Sequence, residues 1–149
     1  MFHKLSLRIF IADDDADDRL LIRDAFLEHG KSLELSFFAT GDELLHGLQS
    51  ARTRRALPDM ILLDLNMPGK NGREVLSELK GAGGYRRVPV IMLTTSRNEE
   101  DIGACYDLGA CSYIVKPGSY EALLEVTRSL INYWTQTSVL PGQMTSHAR

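Results

Sequence analysis

Met60-Ile61-Leu62-Leu63-Asp64-Leu65-Asn66-Met67-Pro68-Gly69 is the stretch on which the rest of the chain turns. Four apolar residues lead to a lone carboxylate and Asn-Met-Pro-Gly then breaks the chain direction, which predicts a buried strand ending at Asp64 and a sharp turn after it. Open parallel sheets bind ligands just outside the carboxyl ends of their strands, so a carboxylate placed there is well set for chemistry. Taken alone, Asp64 would more often simply terminate its strand. The flanking sequence changes that reading.

Upstream, Arg8-Ile9-Phe10-Ile11-Ala12 is a short apolar run halted by Asp13-Asp14-Asp15, as a first buried strand would be. Over about 17–29, Leu20, Leu21, Ala25 and Leu27 or Phe26 recur at helical spacing, and Gly30 supplies a stop. Leu33-Glu34-Leu35-Ser36-Phe37 alternates like a strand exposed on one face. Thr40-Gly41-Asp42-Glu43 then reads as a capping box for a second helix ending near Arg52.

Downstream of the Met67-Pro68-Gly69 turn, Asn71-Gly72 opens a third helix with Val75, Leu76 and Leu79 on one face. Val88-Pro89-Val90-Ile91-Met92-Leu93 is a fourth strand closed by Thr94-Thr95-Ser96. Ser96-Arg97-Asn98-Glu99 reads as a second capping box, opening a fourth helix that Gly109 ends. Ser112-Tyr113-Ile114-Val115 is a fifth strand, ending at Lys116-Pro117. Ser119 begins a fifth helix carrying Leu123, Leu124, Val126, Leu130 and Ile131 to about Trp134.

Strict alternation of apolar strands and helices predicts an α/β fold, a doubly wound parallel sheet covered on both faces. Right-handed crossovers favour a flavodoxin-like strand order of 2-1-3-4-5 with five helices. One domain over 1–137 accounts for most of the 149 residues, a length at which about 68–70% of the unfolded chain's surface can be buried. The tail, 138–149, carries the apolar patch Val139-Leu140-Pro141 and is then polar, with fraying expected.

Cys105 and Cys111 have no CxxC spacing and read as reduced thiols. The first residues show no secretory pattern and no apolar run nears the ~18 residues a membrane span needs, so a soluble cytoplasmic protein with no membrane partner is expected. A net charge of −3 argues against nucleic-acid binding. Arg52-Thr53-Arg54-Arg55 reads as a solvated loop, and the scattered His3, His29, His46 and His147 lack metal-ligand spacing.

In the favoured order the first strand lies between the second and third, so Asp13, Asp14 and Asp64 converge at the switch point. Clustered carboxylates repel unless a cation joins them, and an all-oxygen site completed by a phosphate suits Mg²⁺. The Asn66 carbonyl, on the turn past Asp64, could add an oxygen. Asp64 can then act as a nucleophile toward phosphorus, while Lys116 and the Thr94 hydroxyl meet the charge spread over the phosphoryl oxygens. Singly, these are ordinary: a surface lysine, a hydroxyl at a helix start, first-turn acids favoured by the helix dipole. Five such residue types at successive strand ends are hard to obtain by chance.

Asp13-Asp14, Leu63-Asp64-Leu65-Asn66-Met67-Pro68-Gly69-Lys70-Asn71-Gly72, Leu93-Thr94-Thr95 and Tyr113-Ile114-Val115-Lys116-Pro117 together resemble the receiver domain of two-component response regulators. The resemblance implies that Asp64 is the phosphoacceptor, Asp14 a direct Mg²⁺ ligand, Asp13 a ligand through water and Asn66 a ligand by its carbonyl. It further implies that Thr94 and Lys116 contact the phosphoryl group and that the Lys116–Pro117 bond is cis. Thr94 and Tyr113 would form the switch that biases a surface made by the fourth helix, fifth strand and fifth helix.

Gly118 departs from the many receivers that place a large apolar residue there. Tyr133-Trp134 and Val139-Leu140-Pro141 resemble the tails of stand-alone receivers that partner bacterial phytochromes, which implies a sensor histidine kinase of the bacteriophytochrome kind. A phosphotransfer protein or a homodimer is the expected output, and the chain is expected not to be an enzyme in its own right. The apolar tail could serve either a second subunit or a clasp within one chain.

Two other functions fit the same strand ends. A haloacid-dehalogenase-like phosphatase needs an acid two residues after its nucleophile, where this chain has Asn66. A flavodoxin-like nucleotide or flavin module needs a Gly- and hydroxyl-rich phosphate loop after the first strand, where this chain has three Asp.

Overall fold

The computed structural model describes residues 6–30, 32–81, 84–137 and 139–140. Each apolar run becomes a strand and each intervening segment a helix. The order is β1 (Leu7–Ala12), α1 (Ala16–Leu27), β2 (Leu33–Phe38), α2 (Gly41–Thr53), β3 (Met60–Leu63), α3 (Gly72–Lys80), β4 (Val90–Thr94), α4 (Glu99–Asp107), β5 (Ser112–Val115) and α5 (Tyr120–Asn132). A π-helical turn, Tyr133–Thr137, extends α5. All strand pairs are parallel in the order β2-β1-β3-β4-β5, with Ile11 beside Leu62, Leu62 beside Ile91 and Met92 beside Tyr113.

Because strand side chains alternate with period two, the central strands feed two separate cores. Leu7, Ile9, Ile11, Met60, Leu62, Ile91 and Leu93 pack with α1 and α5. Phe10, Ala12, Ile61, Leu63, Val90 and Met92 pack on the other face with α2, α3 and Cys105 of α4. The same parity carries past the strand ends: Asp13, Asp64 and Lys116 continue the α1/α5 face, whereas Thr94 and Tyr113 belong to the other.

Local sequence sets the helix starts. Asn71 caps α3 in a full capping box with Glu74. At α2 the Thr40 hydroxyl accepts from Glu43 N, but the Glu43 carboxylate reaches back to the Ala39 amide and not to Thr40. Ser119 caps α5 by accepting from Ala122 N at 3.1 Å. Ser96 does not open α4: Asn98 is the N-cap, and Ser96 Oγ donates instead to Asp101 Oδ2 at 2.7 Å. The same oxygen accepts from the Asn98 amide at 3.3 Å, so it braces the turn before α4 without capping the helix. Arg52 and Thr53 likewise are not in a loop; they form the last turn of α2.

The buried stripe of α1 also differs from its expected one. Ile22, Ala25 and Phe26 are buried, while Leu20, Leu21 and Leu27 are 48%, 44% and 55% exposed. Two apolar stripes of the helix compete in the sequence, and only docking against β1 and α5 decides between them. At the C-terminus Leu140 is 2% exposed and joins the α1/α5 core with Trp134, so this part of the apolar tail is used within the chain. The expected fraying of 142–149 lies outside the described residues.

The α1–α5 seam holds a phenol on a carboxylate. Tyr120 Oη donates to Glu28 Oε2 at 2.5 Å, and His29 Nε2 meets Thr127 Oγ1 at 2.7 Å nearby. The hydrogen bond to Glu28 pushes the Tyr120 phenol up to about 12 from its ordinary 10.0. A raised folded value means the contribution is complete below the unfolded value and vanishes as pH rises through the folded one. A tyrosinate absorbance titration should show one late-titrating tyrosine that moves back toward 10.0 in Glu28→Gln; an unchanged titration would exclude this coupling.

Candidate functional site

The acidic residues at the carboxyl edge are placed by the two strands at the switch point. Asp13 follows β1, its amide held by the Phe38 carbonyl at 3.0 Å, and Asp64 follows β3, its amide held by the Ala12 carbonyl at 3.0 Å. These bonds continue the sheet ladder by one residue and fix both carboxylates at its rim. Asp13 is 2% exposed and Asp64 6%, whereas Asp14 faces solvent. One carboxylate oxygen from each of Asp13, Asp14 and Asp64 lies within 4.8 Å of the others.

Lys116, at the end of β5, supplies the opposing charge. Its Nζ lies 2.7 Å from Asp13 Oδ2, 2.7 Å from Asp18 Oδ2 and 3.2 Å from Asp64 Oδ2. Burial alone would lower the ammonium's pKa, but the hydrogen bonds it donates to Asp13 and Asp18 and the nearby negative charges hold it above its usual value. The Asp13 carboxyl is raised, burial outweighing the lowering by Lys116 and by the Asp15 amide. Three carboxylates on one ammonium, with Asp14 open to solvent beside them, form a hard-oxygen donor set that fits a divalent cation.

Thr94 ends β4 wholly buried, and its Oγ1 has no hydrogen-bond partner among the described residues. Such an orphaned hydroxyl costs about 1–3 kcal/mol. Tyr113 packs on the same face, its hydroxyl donating to the Ser96 carbonyl at 2.9 Å, and burial raises its phenol. Asn66 sits on the turn after Asp64, its amide 3.5 Å from Asp64 Oδ1.

The Lys116–Pro117 bond is not cis: the described backbone contains no cis peptide bond. An X–Pro amide favours trans by about 0.5–1 kcal/mol, and the chain takes that preference here. Next to Lys116, Gly118 leaves a cleft of about 120 Å³ bordered by Asp18, Leu21 and Tyr120.

Asp18 and Gly72 were not legible as site residues. Asp18 reads as a first-turn acid, yet it lies one turn after Asp14 and on the side facing β5. Gly72 reads as a helix opener, but a Cβ on it would lie 2.2 Å from the Asp64 carbonyl oxygen, so only glycine lets α3 approach the turn.

The family model described as the response regulator receiver domain matches residues 9–128 of the chain. The chain belongs to the response regulator receiver family. Response regulator Rcp1 of Synechocystis is 34% identical over 139 residues, covering 90% of this chain and 92% of that protein. Among solved structures, the phosphorylated cyanobacterial phytochrome response regulator RcpA superposes with a TM-score of 0.85 at 35% identity, covering 92% of this chain and 99% of its own. The Mn²⁺-bound form of Rcp1 gives a TM-score of 0.81 at 33% identity, with 91% and 99% covered. This receiver therefore works in two-component signalling, as a signalling protein with the flavodoxin-like fold. No helix among its described residues is long and apolar enough to cross a membrane.

Proposed function

We propose that the receiver takes a phosphoryl group onto Asp64 from a sensor histidine kinase, in a transfer that requires Mg²⁺. The observation that carries this reading is the Asp64 carboxylate held 3.2 Å from Lys116 Nζ, inside the cluster with Asp13 and Asp14. Asp14 and Asp64, the Asn66 carbonyl and Asp13 through water would hold the ion, which supplies neutralising charge for the phosphoryl oxygens. An Asp64 oxygen forms the new bond to phosphorus as the phosphohistidine P–N bond breaks, and the electron pair leaves with the imidazole. Lys116 and Thr94 contact the phosphoryl oxygens, which would give the orphaned Thr94 hydroxyl an acceptor.

Similarity to Rcp1 and RcpA supports a phytochrome-type kinase as donor. The cleft beside Gly118 and the exposed Leu21 of α1 that borders it offer that kinase an apolar footing next to Lys116. Tyr113 would couple Thr94 to the α4-β5-α5 surface, through which a phosphotransfer protein or a second copy is engaged. Phosphatase turnover is disfavoured because Asn66 cannot protonate a leaving group.

Intact mass tests the reading directly. Incubation with Mg²⁺ and a small acyl phosphate should add one phosphoryl group, with no gain in Asp64→Asn or in chelator. A gain that persists in Asp64→Asn would move the acceptor elsewhere.

A further inference from the structure

The opposite end of the sheet carries a basic groove with no part in phosphoryl transfer. It opens at the amino ends of β1, β3 and β4, has a volume of about 1000 Å³, and is lined by five of the chain's 12 arginines: Arg8, Arg52, Arg55, Arg86 and Arg87. That size is at the upper end of small-ligand pockets, about 300–1,000 Å³. Leu57, Pro58, Val88, Pro89 and the buried Leu140 give it an apolar floor. Asp59 is its one lining carboxylate, and Asp59 Oδ2 already accepts from the Arg8 amide at 2.8 Å. Arg8 in turn pairs with Glu34. Arg55, Arg86 and Arg87 have no acidic partner among the described residues.

Arg55 adds an independent sign. Its φ is +56°, and it stands where α2 closes, with Arg55 N bonded to the Arg52 carbonyl and Ala56 N to the Ala51 carbonyl. That is the Schellman position, normally glycine, and a side chain there is strained. A helix C-terminus presents only about half a negative charge, which one arginine satisfies, so the dipole does not account for a strained guanidinium beside three more.

We propose that this groove binds a compact organic polyphosphate, of the kind a nucleoside polyphosphate presents. Arginine forks match phosphate oxygens two at a time, and a terminal phosphate brings about −1.5 to −2 charge, so two or three linked phosphates meet the guanidiniums of Arg52, Arg55, Arg86 and Arg87. The apolar floor receives the flat body. An extended acidic peptide fits less well, since alternate side chains face away and the carboxylates on one side fall about 6–7 Å apart.

The test is titration calorimetry on the whole chain in chelator, with pyrophosphate, tripolyphosphate and ATP as probes. Tripolyphosphate and ATP should bind one to one, weaken steeply with salt, and bind Asp64→Asn equally well. Arg55→Gly should keep or raise Tm, because glycine relieves the strained φ, yet lose about tenfold or more in affinity. Absence of saturable binding by all three probes would overturn the proposal, as would undiminished binding to a folded Arg55→Gly. Equal or tighter binding of a pentaglutamate peptide would overturn it in favour of protein docking. Phosphoryl uptake at Asp64 is read separately by mass, so failure of either result leaves the other standing.

Discussion

Lys116→Met is expected to destabilise the metal-free protein by about 3–5 kcal/mol, the cost of leaving buried carboxylates without their counter-charge. Asp13 and Asp64 are nearly inaccessible, and Lys116 Nζ is within 3.2 Å of both. The deficit has a definite pH dependence. The Asp13 carboxyl already lies above its ordinary 3.8 through burial, so its favourable contribution is present below that value and is lost as pH rises through the folded one. Removing the ammonium raises it further, making the deficit largest near neutrality and smaller as acid protonates Asp13. A divalent cation should restore part of the loss, about 2.7 kcal/mol at a hundredfold excess over its Kd. Equilibrium urea unfolding with chelator and with Mg²⁺ reads both effects, and a variant as stable as the parent in chelator would rule out the cluster as a strained charge site. Phosphoryl uptake should fall by about 10²–10³, the usual cost of one lost charge-stabilising donor.

Gly72→Ala is the second large effect, and it acts through geometry. The new Cβ would meet the Asp64 carbonyl oxygen at 2.2 Å and Leu65 Cα at 2.8 Å, both on backbone that cannot rotate away. The first turn of α3 must therefore separate from the turn after β3, breaking the 2.8 Å bond from Gly72 N to the Leu65 carbonyl. Overpacking of this kind costs about 1–3 kcal/mol. If the shift reaches about 1 Å at Asp64, phosphoryl uptake falls about a hundredfold. Gly103→Ala supplies the contrast: it lies within α4 with nothing near its Cβ, and should stabilise by about 0.5–1 kcal/mol. Paired thermal melts and uptake rates separate the two, and equal behaviour of both variants would refute the close-approach argument.

The strand order and the convergence of Asp13, Asp64 and Lys116 were legible because both follow from period-two runs and from the handedness of crossovers. Caps at Thr40, Asn71 and Ser119 were legible because a hydroxyl or amide needs only its own next turn. What sequence could not resolve depended on competing partners in space. Ser96 had both a cap site and the Asp101 carboxylate in reach. Leu20 and Leu21 matched helical spacing as well as Ile22 and Phe26 did. Asp18 looked like any first-turn acid until β5 brought Lys116 beside it, and the arginines after Gln49 looked solvated until the α2 terminus met the loops before β3 and β4.

The five helices are unequally anchored. α2, α3 and α5 each bury four residues and α1 three, while α4 buries Cys105 alone. Its side-chain ties include the 3.4 Å Arg73–Asp101 pair and the Ser96–Asp101 hydrogen bond near its first turn, and the Tyr106 hydroxyl in its last turn, which accepts from the Tyr113 amide at 3.1 Å. Hydrogen exchange should therefore find α4 the least protected of the five helices, opening while the sheet and the α1/α5 core keep their amides protected. A helix with so few buried side chains can shift without global unfolding, and a protein that captured it in one position would draw on that freedom.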